Sequence, residues 1–365
     1  MDQERLSFIA LHFTPGIGDF LVKQLVSYCG SASQVFKTPK SRLLQIPGVG
    51  EKSALAITNQ SAFDEAEKEL KRADRDDVEI ILYSDKKYPH RLKPLDDAPA
   101  ILYCKGNQNL NLPKAIAIVG TRQATEYGKE VVEQICKELV PHEALILSGL
   151  AYGIDIHAHK AALKNKLPTV GIMGSGIDTI YPAAHKETAR KMIEAGALLT
   201  ENRFGTKPDA HNFPARNRII AGMCDALIVV EAGEKGGALI TADIANSYNK
   251  DVFAVPGNLL QAYSAGCNKL IKTNRANLFT SVKDLEYIMN WSVEKTAVQP
   301  ALELTVFDAD EQTVLRILKE SKEPVMIDEL SLKSLLPPSQ LASLLLTLEF
   351  KNAVKALPGK RFALR

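Results

Sequence analysis

Apolar residues in the middle of this chain come in runs of four or five, separated by longer stretches where they recur at helical spacing. The runs lie at 115–119, 145–148, 169–173, 197–200, 226–230 and 252–255. Their length and β-branched content predict strands, and most of the stretches between them suit helices. Strand–helix alternation across 106–290 builds a parallel sheet with helices on both faces. The predicted fold class is α/β, with a doubly wound, Rossmann-like core.

The flanks follow other patterns. Residues 1–75 read as short helices, with glycine hairpins at Pro15-Gly16-Ile17-Gly18 and Pro47-Gly48-Val49-Gly50. That spacing is the one of a helix-hairpin-helix repeat. Such hairpins can turn backbone N–H groups toward a phosphate. Asp19 makes the first a poor phosphate site, whereas Glu51-Lys52 follows the second; structural and DNA-binding roles are both open. Residues 76–105 read as an extended connector, grouped with the core as a domain over 76–291. A linker without periodicity spans 292–304. Residues 305–365 predict three helices near 309–320, 326–332 and 338–350, then a hairpin from 354 to 364 turning at Pro358-Gly359, the layout of a winged helix.

Composition narrows the function classes. A net charge of +2 confines any nucleic-acid site to a local patch. Five dispersed cysteines with no CxxC pair argue against a zinc ribbon or redox motif and for reduced thiols in a cytoplasmic protein. The start Met1-Asp2-Gln3-Glu4-Arg5 is acidic and polar, unlike a secretory signal. No apolar run approaches the roughly 20 residues of a membrane span.

Ligands of doubly wound sheets bind at the carboxyl ends of strands. Here those ends carry Gly120-Thr121-Arg122, Gly149 to Gly153, Gly174-Ser175-Gly176, and Gly233 with Gly236-Gly237. Several glycine loops on one edge predict an anion-binding crevice for a nucleotide, a cofactor or a strand. Neither GxGxxG nor a Walker A loop is present, so no dinucleotide or other cofactor is expected. His157 and His159 lie two apart on a predicted helix, so joint metal ligation is not expected; His159 is expected to bond Asp155. Asp155, Asp178 and Glu231 could serve acid–base chemistry or act as caps and turn residues, the second being favoured. The third helix of the winged-helix segment has one Gln and no basic residue, which disfavours major-groove reading. Lys355, Lys360, Arg361 and Arg365 of the hairpin could touch phosphates.

The hexapeptide Phe213-Pro214-Ala215-Arg216-Asn217-Arg218 joins a ring to two arginines, ahead of Ile219-Ile220-Ala221, which looks like the start of a buried helix. An exposed ring can stack on a base and guanidiniums can neutralise phosphates, the two needs of single-strand binding.

These motifs resemble, along nearly the whole chain, the DprA/Smf family of bacterial DNA-processing proteins. The resemblance is carried by Ile118-Val119-Gly120-Thr121-Arg122, Ser148 to Asp155, Phe213 to Gly222, Gly237 to Ala242, Val255-Pro256-Gly257-Asn258 and Gly266 to Ile271. It implies an extended Rossmann core between an N-terminal helical, SAM-like domain and a winged-helix tail. It also implies a non-enzymatic protein that binds and protects single-stranded DNA in natural transformation and loads RecA. The family typically dimerises through the core. The implied DNA-binding residues are Arg122, Phe213, Arg216 and Arg218, with Lys269 a further contact. Gly120, Thr121, Gly149, Gly174, Gly176 and Asn217 complete the expected site. A nucleotide-processing enzyme, similar to the Rossmann family once called lysine decarboxylases, is the alternative. The segment from Lys235 to Asp243 lacks that family's proline and paired glutamates.

Overall fold

The computed structural model describes residues 2–209, 212–291, 307–321, 324–351, 353–357 and 359–364. The chain divides into two compact units, Met1–Ser292 and Val293–Arg365.

In the first unit, six helices precede the sheet: α1 (Gln3–Phe13), α2 (Asp19–Cys29), α3 (Ala32–Lys37), α4 (Lys40–Leu43), α5 (Glu51–Asn59) and α6 (Phe63–Arg75). Strands β1 (Glu79–Leu82) and β2 (Ile101–Gly106) follow. Then come β3 (Ala115–Val119), α7 (Glu126–Leu139), β4 (Leu145–Ser148), α8 (Ile154–Lys164), β5 (Thr169–Ile172), α9 (Lys186–Ala195) and β6 (Ala197–Thr200). The second half holds α10 (Asn212–Met223), β7 (Ala226–Val229), α11 (Gly237–Ser247), β8 (Asp251–Ala254), α12 (Ala265–Lys272), β9 (Asn277–Leu278) and α13 (Val282–Ile288).

These strands form one sheet in the order β1-β2-β6-β5-β4-β3-β7-β8-β9. The stretch from β6 through β3 to β9 is parallel. The connector read as extended adds β1 and β2 antiparallel at the edge, so the sheet is mixed. Strands covered on both faces need apolar side chains at successive positions, which is why β3 reads AIAIV. Ile116 and Ile118 point toward α7, α8 and α13; Ala115, Ala117 and Val119 point toward α10, α11 and α12. The small residues on the second face let α10 approach closely, which matters for the site below.

The helices of residues 3–75 share one core with the sheet edge. Phe8, Ile9, Leu25, Leu43 and Ile57 pack in the same cluster as Ile80, Ile101, Tyr103, Met173 and Leu198. Asp19 ties the two parts together: its carboxylate accepts the Ala100 N–H at 2.8 Å and faces His12 Nε2 at 3.1 Å. The acid that spoils the first hairpin as a phosphate site is thus a docking group.

The second unit contains α14 (Ala309–Glu320), β10 (Val325–Met326), α15 (Ile327–Ser334), α16 (Pro338–Phe350), β11 (Val354–Leu357) and β12 (Arg361–Leu364). Its sheet order is β10-β12-β11, and Val314, Leu330, Leu341, Leu345 and Leu348 fill its core. Three helices and a hairpin make the winged-helix layout. Gln340 Nε2 donates to Asp310 Oδ2 at 3.3 Å, an intramolecular use of the one glutamine on the third helix. The predicted linker 292–304, Pro358 of the turn and Arg365 lie outside the described residues.

Candidate nucleic-acid interface

From β3 the chain winds outward through β4, β5 and β6, then crosses back to start again at β7. The loops after β3 and β7 therefore diverge, and a crevice opens where the strand order reverses. A cavity of about 800 Å³ occupies that place. Gly120, Thr121 and Arg122 line it from β3, and Gly233, Lys235, Gly236 and Gly237 line it from β7. Phe213, Arg216 and Asn217 close it from α10.

Two glycines are needed for this packing. Gly153 takes φ +75°, and a Cβ there would collide with Thr121 O, so only glycine lets the β3 loop rest on the start of α8. At Gly149 a Cβ would come within 2.6 Å of both the Arg216 guanidinium and Asp155 Oδ2. Gly174 supports the Phe213 ring, which would lie 3.0 Å from an added Cβ, and Gly176 approaches the Arg203 carbonyl. Of the expected glycines only Gly120 lines the cavity; Gly149, Gly174 and Gly176 have protein groups as their close neighbours.

Phe213 to Arg218 lie within α10, not ahead of a helix. Proline is tolerated in the first turn, so Pro214 does not mark a loop. Residues two apart on a helix face different ways, and the two arginines separate accordingly. Arg216 turns inward and is 5% exposed, donating to the carbonyls of Gly149 and Ile172 at the ends of β4 and β5. Burial pulls its pKa down to about 10, with Asp155 opposing that fall. The Asp155 carboxyl is itself pushed up by burial, against the pull of Arg216 and of the backbone N–H groups of Ala151 and Gly149. Arg218 turns the other way, pairing with Glu201 and donating to Asp97 O. It does not line the cavity, and neither does Lys269, which is exposed on α12.

Phe213 is half-buried rather than fully exposed. The Arg122 guanidinium carbon lies 5.7 Å from its ring centroid and that of Arg216 lies 5.9 Å away. Tyr181 adds a second ring, 5.8 Å from Phe213. Arg122 and Lys235 are exposed cations that line the cavity, one after β3 and one after β7. The N-terminus of α11 opens here with no side-chain cap on Gly236, adding the positive end of a helix dipole. Asn217 holds that end in place, its Nδ2 donating to Gly237 O at 3.4 Å. Lys235, Tyr181 and Tyr263 are cavity residues absent from the sequence-based set. A lysine directly before a Gly-Gly helix start was the available signal for the first.

The carboxylates have structural work. Glu231 accepts from Thr125 N at 2.9 Å and Thr125 Oγ1 at 2.6 Å, fixing the start of α7. Asp178 accepts the Gly205 N–H at 3.0 Å and pairs with Arg72 at 2.6 Å. The expected His159–Asp155 bond does not form: His159 Nδ1 meets Thr169 Oγ1 at 2.7 Å, because Asp155 is drawn toward Gly149 and Arg216. Among the described residues no group of three His, Cys, Asp or Glu could hold a metal ion, and no helix is long and apolar enough to cross a membrane.

Comparison with known proteins identifies the lineage of this architecture. Residues 79–290 match the family model for DNA recombination-mediator protein A. Residues 295–360 match the DprA winged helix domain, and 8–62 and 40–81 match the SAM-like helix-hairpin-helix tandem. The chain is 40% identical over 220 residues to the DNA processing protein DprA of Bacillus subtilis, covering 60% of this chain and 74% of that protein. It is 42% identical over 198 residues to DprA of Streptococcus pneumoniae, covering 54% and 70%. The X-ray structure of the S. pneumoniae protein superposes with a TM-score of 0.69 at 31% identity, covering 79% of this chain and 98% of that one. A Helicobacter pylori DprA structure, described as giving insight into single-stranded DNA binding, has a TM-score of 0.53 at 29% identity and covers 58% of this chain and 95% of that one. With its core, tail and helical tandem all matched, the chain belongs to the DprA/Smf family, the DNA recombination-mediator protein A family of DNA-processing proteins.

Proposed function

We propose that this protein binds single-stranded DNA without reading its sequence, shelters the strand, and passes it to a RecA-type recombinase. The observation that carries this reading is the Phe213 ring in the wall of the switch-point cavity, with the Arg122 and Arg216 guanidiniums 5.7 Å and 5.9 Å from its centroid. A base stacks on such a ring whatever its identity, and the cations hold the backbone. The single-strand binding named for the H. pylori relative supports the same assignment. In this reading Arg122 and Lys235 take phosphates. Arg216, already bonded to two carbonyls, acts as a fixed charge behind the ring. Arg218 and Lys269 have no part in the cavity. No chemical step is assigned to the site, and a homodimer through the core belongs to the same proposal.

The test is a gel shift with single- and double-stranded DNA of equal length, with and without RecA. Strong single-strand preference and a ternary complex with RecA are expected. Equal binding to both forms would overturn the single-strand assignment, binding to neither would overturn the DNA assignment, and the absence of a ternary complex would overturn the hand-over. Release of base or phosphate from nucleoside monophosphates would favour the enzyme alternative.

A further inference from the structure

Two exposed tyrosines follow on from Phe213, one in the cavity wall and one past it. Tyr181 is 49% exposed and lines the cavity. Tyr152, also 49% exposed, follows the cavity-lining Ala151 and packs edge-on against His185, with ring centroids 4.9 Å apart. His185 is buried and anchored, its Nδ1 donating to Leu150 O at 2.8 Å. Tyr152 is thus presented to solvent on a rigid support, which lowers the ordering cost of stacking on it.

Directly past His185 the surface turns cationic. Lys186 and Arg190 stand one turn apart on α9, and Lys160 lies on the neighbouring α8. All three are exposed, and none has an ion-pair partner among the described residues. The acid among them, Glu187, is satisfied by Lys191 at 3.0 Å. Its carboxyl is held low by Lys191 first, and more weakly by Arg190 on the same helix and Lys160 on the adjoining α8. Lys186, Arg190 and Lys160, without ion-pair partners among the described residues and beside a ring continuous with the cavity wall, leave this surface net positive even though α9 also carries Glu187 and Glu194.

We propose that Tyr181, Tyr152, Lys186, Lys160 and Arg190 form a second single-strand-binding segment that carries the strand from the cavity over the start of α9 and onto α8. This rests on the reading of the cavity as a single-strand site. The rings continue the stacking surface, and the three cations neutralise the backbone beyond it.

The test compares two oligothymidylates, one of about 6 nucleotides that fills the cavity and one of about 20 that reaches beyond it. The variants are Lys160→Ala/Lys186→Ala/Arg190→Ala together, and Tyr152→Ala beside Tyr152→Phe. For the triple variant, affinity for the short strand stays within about twofold, affinity for the long strand falls about tenfold, and the salt slope on the long strand drops by about 2. Tyr152→Ala weakens only the long strand, and Tyr152→Phe restores it. Equal losses on both strands, or none on either, would overturn the second segment while leaving the cavity assignment standing. If the parent protein binds neither strand, both readings fall. Thermal unfolding midpoints of the variants confirm that the fold is intact.

Discussion

The guanidinium carbon of Arg122 lies 5.7 Å from the centre of the Phe213 ring. One residue follows β3 and the other sits on α10, so the guanidinium proposed to take a phosphate and the ring proposed to stack on a base are held as a single unit. Removing either should weaken binding in a distinct way. Arg122→Ala is expected to lower affinity and reduce the single-strand salt slope by about 0.7, one neutralised phosphate. Phe213→Ala should cost about 1–3 kcal/mol with the slope unchanged. Fluorescence titrations at several salt concentrations separate the two signatures, and a Phe213→Ala variant that changed the slope would contradict this division of roles.

Arg218 carries the opposite expectation. Its guanidinium is committed to Glu201 and to Asp97 O. Arg218→Ala should leave single-strand affinity within about twofold of the parent at any salt concentration, although it stands two residues from Arg216. A tenfold loss would place Arg218 on the DNA path.

Arg216 is a stability residue first. Replacing it with Met removes donors from the carbonyls of Gly149 and Ile172 and leaves Asp155 buried without its opposite charge. Leaving a buried carbonyl without its charged donor costs about 1–3 kcal/mol, and two are left here. Because Asp155 would then be a further source of the penalty, Arg216→Met combined with Asp155→Asn should recover part of the loss. Urea unfolding of the two single variants and the double variant measures the coupling; strictly additive losses would show that the two side chains do not interact.

Gly149→Ala tests the same spot through shape. The new methyl would lie 2.6 Å from both Arg216 and Asp155, neither of which can withdraw without breaking its bonds. A loss of about 1–3 kcal/mol is expected from such overpacking. An unfolding midpoint equal to that of the parent would mean the pocket yields more easily than its hydrogen bonds imply.

A partly buried carboxyl and a fully buried imidazole give stability an opposing dependence on pH. Burial lifts the Glu201 carboxyl to about 7 from its ordinary 4.5, against the pull of Arg218. The folded protein keeps this proton while the unfolded chain releases it, so stability declines as pH rises between 4.5 and 7. The full effect is on the order of 3 kcal/mol. His159 works in the other direction. Burial holds its imidazole down to about 3 from 6.5, so stability is lost as pH falls through that window. Glu201→Gln should gain on the parent steadily as pH is raised from 5 toward 7. Chemical unfolding at a series of pH values checks this, and a constant difference would refute it.

The sequence carried much of this architecture. The six core strands were visible because a strand covered on both faces must be apolar without interruption, and the glycines after β3 and β7 marked the edge where the cavity opens, whereas Gly149, Gly174 and Gly176 serve packing. What stayed hidden were features that depend on direction rather than identity. Pro214 looks like a loop residue until the helix is known to include it, and only then do Arg216 and Arg218 part. The expected i,i+4 contact of His159 with Asp155 was geometrically allowed. It lost to partners supplied by distant strands: Thr169 for the histidine and Arg216 for the acid. Lys235 and Tyr181 reach the cavity through long-range packing that no local pattern reports.

The common core of α1–α6 and the sheet edge has a practical consequence for dissecting this protein. Cutting the chain at about residue 79, where the core family model begins, would strip Ile80, Ile101 and Tyr103 of their cover and leave an apolar sheet face open to water. A shortened protein made that way would report on aggregation as much as on DNA. The helical segment is better probed by point changes on its outer surface than by excision, because it serves as one wall of the hydrophobic interior rather than as an appended module.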